Sequence, residues 1–165
     1  MNPFTFEEQV FSQNGYSIEL MEKAVPLEFF IKPDWITFDT YERKKHQLKL
    51  YDENKTQIYL NEIWLEEFGD ELQVGFHISR ILDHEEGNFL SNTIFYPDGK
   101  NSVNFEREQF AIFDSNHQEI EVKQIGASES SFSLGIDKKQ LPRIKNGFYV
   151  KYTGMNLYQY EKDLS

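Results

Sequence analysis

Apolar and polar residues alternate along most of this chain with a period of two. Leu72, Val74, Phe76 and Ile78 are interleaved with Glu71, Gln73, Gly75 and His77, the pattern of a strand that buries one face. Two longer stretches, residues 48–60 and 110–122, each read as a β-hairpin. Both have an alternating strand ending in an aromatic, an Asp-x-Asn turn (Asp52-Glu53-Asn54 and Asp114-Ser115-Asn116), and a second alternating strand. Asp can close an Asx-turn on the backbone ahead of it, and Asn tolerates the left-handed conformation that returns the chain.

Such a hairpin cannot stand alone. Burying Leu48, Leu50, Ile58 and Leu60 gains roughly 1.5–3 kcal/mol each, whereas ordering the backbone costs about 1–2 kcal/mol per residue. Further strands and a second layer are needed to cover the apolar face.

The remaining pattern supplies them. Residues 1–15 read as an arm with Phe4, Phe6, Val10 and Phe11 as docking points, and 16–20 as a strand. Strands over 27–31 and 35–41 flank Pro33-Asp34, and 42–46 is a charged loop. In the first hairpin Ile58 and Leu60 share one face while Ile63 and Leu65 fall on the other, which predicts a β-bulge near Asn61-Glu62. Residues 81–92 are irregular. Short strands at 94–96 and 103–105 surround Pro97-Asp98-Gly99, and a strand at 131–136 is followed by a short helical turn within 137–144 and by strands at 148–152 and 157–160.

The two hairpins are offset by 62 positions (48 to 110), the strands at 72–76 and 132–136 by 60, and Ile31-Lys32-Pro33-Asp34 and Phe95-Tyr96-Pro97-Asp98 by 64. Common order and spacing suggest duplication of a unit of about 60 residues. Any β-protein, however, draws on the same alternation and turn residues.

The stretch Leu48-Lys49-Leu50-Tyr51-Asp52-Glu53-Asn54, with Leu141-Pro142 and Gly147-Phe148-Tyr149-Val150-Lys151-Tyr152, resembles immunoglobulin-like β-sandwich domains of bacterial surface lipoproteins and anti-sigma-factor ectodomains. The likeness covers about the C-terminal two-thirds and consists of strand-and-turn patterns. It implies a domain that is generally non-catalytic. The signal peptide, lipid-attachment cysteine and membrane helix of that pattern have no counterpart here, which points to a cytoplasmic protein, or to a cell-surface or extracellular one if the sequence is part of a longer chain.

Composition narrows the function. Fifteen Phe and nine Tyr suit pleated, half-buried strands. A net charge of -11 repels phosphate backbones and anionic lipid, so nucleic-acid binding is disfavoured. The absence of cysteine removes disulfides, thiolate nucleophiles and Cys-based zinc sites. No stretch reaches the apolar length of a membrane span.

Candidate chemistry is sparse. His46, His77, His84 and His117 lack ligand spacing. The loop Asp83, His84, Glu85, Glu86, Asn88 is the sharpest polar cluster and has oxygen ligands dense enough for Ca²⁺, but it lacks the full Asp-x-Asp-x-Asp-Gly pattern. A solvated loop is the plainer reading. Trp35, Trp64, Tyr59, Tyr96, Tyr158 and Tyr160 could stack sugars or peptides, or serve the core. No Gly-x-Ser-x-Gly or Gly-rich phosphate loop occurs.

The expectation is therefore an all-β chain: an antiparallel, immunoglobulin-like β-sandwich over residues 16–165, with two related units at about 28–91 and 92–153 if the repeat is real. Its expected role is a non-enzymatic binding or interaction module with a protein or peptide partner and no cofactor. Two alternatives stand beside it, a carbohydrate- or small-ligand-binding sandwich and a hydrolase on a jelly-roll scaffold.

Overall fold

The structure, a computed structural model, describes residues 6–36, 38, 44–83 and 86–163. Helix α1 (Phe6–Phe11) leads into β1 (Tyr16–Glu22), β2 (Leu27–Ile31) and a 3₁₀ turn at Pro33–Trp35. A meander of three ten-residue strands follows: β3 (Lys44–Glu53), β4 (Thr56–Leu65) and β5 (Glu71–Arg80). Next come β6 (Glu86–Ser91), β7 (Thr93–Phe95), β8 (Asn101–Val103), β9 (Phe110–Asp114), β10 (Glu119–Ile120), β11 (Val122–Ser128) and β12 (Ser131–Asp137). A 3₁₀ segment, Lys138–Ile144, precedes β13 (Phe148–Tyr152) and β14 (Asn156–Lys162).

The strands pair antiparallel in four sheets, with orders β11-β12-β5-β4-β3, β10-β9-β13-β2, β1-β14-β6 and β7-β8. The chain is thus all-β in character. Alternation decides which side chains turn inward: β2 buries Leu27, Phe29 and Ile31 and exposes Glu28 and Phe30, and β13 buries Phe148, Val150 and Tyr152. These residues join Ile58, Leu60, Leu72, Val74, Phe76, Leu134 and Ile136 in one core shared by the five- and four-stranded sheets. Phe132 is the ring that ties the sheets together, with centroids 4.7 Å from Phe76, 4.1 Å from Tyr152 and 6.5 Å from both Phe29 and Phe110.

A second, aromatic core forms where α1 covers the three-stranded sheet. It holds Val10, Phe11, Tyr16, Phe89, Tyr158 and Tyr160. The N-terminal arm is therefore partly a docked helix, with Val10 and Phe11 as its buried anchors.

Several expectations change in detail. The predicted bulge is present, as a register shift between Leu60 and Glu62. The twin turns, however, are built differently. Asn54 and Lys55 both adopt positive φ (55° and 54°), the geometry of a two-residue hairpin loop. Asp114 instead accepts from the backbone N–H of Asn116 and Gln118, each at 2.9 Å, and only His117 turns left-handed. Arg143 and the Gln118 and Asn116 amides hold the Asp114 carboxyl below its usual pKa, the Gln118 contact contributing most.

Charged residues 44–46 begin β3 rather than a loop, because the long β4 offers them a partner. Trp35 ends a 3₁₀ turn; of the strand expected over 35–41, residues 37 and 39–41 lie outside the described residues. The irregular stretch 81–92 contains β6, and the strand expected at 103–105 lies at Asn101–Val103.

Candidate functional site

The polar loop singled out in the sequence is divided by the structure. Asp83 Oδ2 accepts from Lys55 Nζ at 2.8 Å, and the Tyr160 hydroxyl accepts from the Asp83 N–H at 3.0 Å. Glu86 and Asn88 are exposed on β6, paired with Glu161 and Gln159. His84 and Glu85 lie outside the described residues. Among the described residues no group of three or more His, Asp and Glu side chains is placed to hold a metal ion. The candidate aromatics are dispersed as well: Tyr158 and Tyr160 are buried in the second core, Tyr59, Trp64 and Trp35 are half-buried, and Tyr96 is exposed.

A groove of about 400 Å³ opens elsewhere, where the loops after β6 and β13 meet the three-stranded sheet and the β7–β8 hairpin. Leu20, Ile94, Phe95 and Tyr158 supply its apolar lining. Asn92, Asn104, Gln109 and Asn156 bring four carboxamides to it, with Thr153 and Lys23.

Its frame is fixed by hydrogen bonds between distant segments. Ala24, at φ 52°, takes the left-handed turn from β1 into β2, and its N–H donates to Asn156 Oδ1 at 2.9 Å. Val25 N–H reaches the Met155 carbonyl at 2.8 Å. Asn156 Nδ2 donates to the Tyr158 hydroxyl at 3.2 Å, and that hydroxyl donates to the Thr93 carbonyl at 2.6 Å. On the far wall the Thr153 N–H meets the Gln109 carbonyl at 2.9 Å, and Gln109 Oε1 accepts from Glu106 N–H at 2.9 Å. Asn104 N–H donates to the Asn92 carbonyl at 3.0 Å. A Cβ at Gly154 would collide with the Tyr152 ring and hydroxyl, so glycine is what lets this loop cross the tyrosine.

Behind the groove lies a buried polar junction. Asn92 donates to the Ser128 carbonyl at 2.8 Å. Arg80, at the end of β5, donates through Nε to the Leu90 carbonyl at 2.7 Å. Its Nη1 reaches Glu7 Oε1 at 2.8 Å and the Glu129 carbonyl at 3.2 Å, and its guanidinium lies 5.2 Å from the Phe11 ring. This arginine therefore locks α1 onto the five-stranded sheet. Burial lowers its pKa while Glu7 opposes that shift, and burial raises the Glu129 carboxyl with Glu7 adding to the push. Burial also drives the Tyr152 hydroxyl up to about 12; the neighbouring Asn92 amide offsets this in part, without hydrogen-bond geometry.

A more open hollow of about 770 Å³ lies where the chain leaves β10 for β11. Two of its charged side chains are committed to the backbone, and Lys123 pairs with Glu121 and Asp137. Arg107 Nη1 donates to the Val122 and Lys123 carbonyls, and Glu71 Oε1 accepts from the Gln124 N–H.

Chemically, the 400 Å³ groove offers hydrogen bonds and apolar contact. Neither carboxylate nor imidazole lines it. Sequence reasoning could not find it, because its amides are separated by up to 64 positions (92 to 156) and each alone resembles a turn former. No family model matches the chain, and neither the curated proteins nor the solved structures yield a match.

Proposed function

We propose that this protein is a non-enzymatic binding module that receives a peptide segment of a partner protein in the carboxamide-lined groove. The observation that carries the reading is the groove itself, a recess with apolar walls and amide hydrogen-bonding groups, lined by neither carboxylate nor imidazole. Ligand sites commonly join apolar lining to a few fixed polar groups, and carboxamides match a peptide backbone, being donor and acceptor at once. The setting supports it further. Strand β1 is a sheet edge, and Leu20 and Met21 at its end are 42% and 52% exposed, so an extended segment leaving the groove has a strand to add to.

For the fold, an internal duplication accounts for the register of β5 and β12. Val74 pairs with Leu134, its counterpart at offset 60, with Leu72 opposite Ile136 and Phe76 opposite Phe132. A two-fold relation through that central pair exchanges the strands. The second unit then departs from the first where Glu121 interrupts the hairpin and sends β9 and β10 into the other sheet.

The test is amide shift mapping on ¹⁵N-labelled protein with a peptide array and, separately, a glycan set. Peptides are expected to move the amides of Leu20, Lys23, Ile94, Asn104 and Thr153. Shifts confined to other surfaces, or produced by glycans alone, contradict the reading.

A further inference from the structure

We infer that the groove recognises the C-terminal carboxylate of a peptide whose last side chain is apolar, with Lys23 as its counter-ion; this rests on the groove being a peptide site. The chain carries a net charge of -11, yet the charged side chain lining this groove is a lysine. Among the described residues Lys23 Nζ has neither a hydrogen-bond nor an ion-pair partner. Lys23 is held at the rim by the left-handed turn at Ala24 and the Ala24–Asn156 hydrogen bond.

The hydrogen-bonding groups are compatible with such a ligand. Asn156 Oδ1, Gln109 Oε1 and the Thr93 carbonyl, all acceptors, are already used within the frame. Gln109 Nε2 is left to donate, the Asn104 carboxamide and the Thr153 hydroxyl can each donate or accept, and among the described residues Asn92 Oδ1 is a buried acceptor without a partner. Lys23 is the charged residue lining the groove and no carboxylate accompanies it there, so a ligand that complements the groove presents negative charge. One lysine balances a monoanion; a phosphate, at about -1.5 to -2, would remain uncompensated in so acidic a protein. Carboxylate is the group that fits.

The apolar walls then define the rest of the ligand. Leu20, Ile94 and Phe95 can enclose an aliphatic or aromatic terminal side chain, and about 400 Å³ is room for one or two residues. Because the groove lies at the C-terminal end of β1, a segment that pairs with that edge and ends at Lys23 runs parallel to β1.

The test uses the full chain and acetylated hexapeptides ending in Leu, Ile, Val or Phe, each as the free acid and as the C-terminal amide, with 4-methylpentanoate as a small-acid arm. Binding is followed by amide shifts and by calorimetry. Free-acid peptides are expected to shift the Lys23, Asn104 and Thr153 amides, and amidation to weaken binding by about tenfold or more. Lys23→Ala should weaken the free acids to a similar degree and leave the amides unaffected, while Lys23→Arg restores binding. Equal binding of acid and amide at the groove overturns the carboxylate assignment but leaves a peptide groove standing. Saturation by 4-methylpentanoate with no gain from the peptide overturns the peptide source. No groove shift with any arm overturns both readings.

Discussion

Phe132 is the residue on which the union of the two large sheets depends most. Its ring is 1% exposed and stacks at 4.1 Å on Tyr152 of the four-stranded sheet and at 4.7 Å on Phe76 of its own. Truncating a buried Phe to Ala costs about 3–5 kcal/mol, and each well-placed ring pair is worth about 0.5–1.5 kcal/mol beyond burial. With two close stacks lost and the cavity surrounded by the four rings of Phe76, Tyr152, Phe29 and Phe110, Phe132→Ala belongs near the top of that range, about 4–5 kcal/mol. A domain of this size is stable by about 5–15 kcal/mol, so the variant should sit close to unfolding. Urea denaturation followed by near-ultraviolet circular dichroism measures the loss. Phe105→Ala, at 44% exposure, serves as the control and should change stability by no more than about 0.5 kcal/mol. A loss below about 2 kcal/mol at Phe132 would mean that the sheets do not share the core described.

Three other outcomes follow from local features. Ala24→Gly should stabilise by about 0.5–1 kcal/mol, since relief of left-handed strain (about 1–2 kcal/mol) exceeds the entropic cost of glycine, whereas Ala24→Val should destabilise; thermal melts with the opposite ranking would refute that turn. Glu7→Gln leaves the Arg80 guanidinium without its anionic partner, and because Glu7 is itself 33% exposed the cost should be about 1–2 kcal/mol, below the fully buried case; α1 amides should exchange faster, and unchanged exchange would contradict the clamp. Tyr152 and Tyr160 are both pushed up to about 12 against about 10 unfolded. Their neutral forms are thus favoured in the fold, stability is intact below pH 10, and it is lost between pH 10 and 12. At pH 11 the loss is roughly 1.4 kcal/mol per group, and denaturation midpoints flat across that window would refute the burial of the two hydroxyls.

The sequence made the strands legible wherever one face is buried and the other solvated. Residues 72–78 and 148–152 alternate because they lie over a core, and their register follows from that alternation. The bulge at Leu60–Glu62 was equally legible, since a slip of one residue reverses every side chain after it. Turn identity did not specify turn geometry: Asp52 and Asp114 occupy matching positions, yet Asp52 accepts from Gln57 and Lys49 side chains while Asp114 closes the backbone. Nor could local pattern show that β10 and β11 belong to different sheets, because the break at Glu121 is set by tertiary pairing. The groove was least legible. Ala24, Asn92, Gln109 and Asn156 meet only after three sheets have assembled, and nothing in the residues beside each of them encodes the meeting.

The most direct measurement of the central claim is a comparison of peptide affinity with the groove open and filled. Peptides with free C-termini, selected from a random-sequence library on the unaltered protein, would be titrated against Thr153→Trp, which places an indole at the groove wall, and against Phe68→Ala on the distant β4–β5 turn. If the groove is the binding site, affinity falls by about tenfold or more on Thr153→Trp, at unchanged melting temperature, and is retained on Phe68→Ala. Equal affinity for the open and filled grooves would contradict the account.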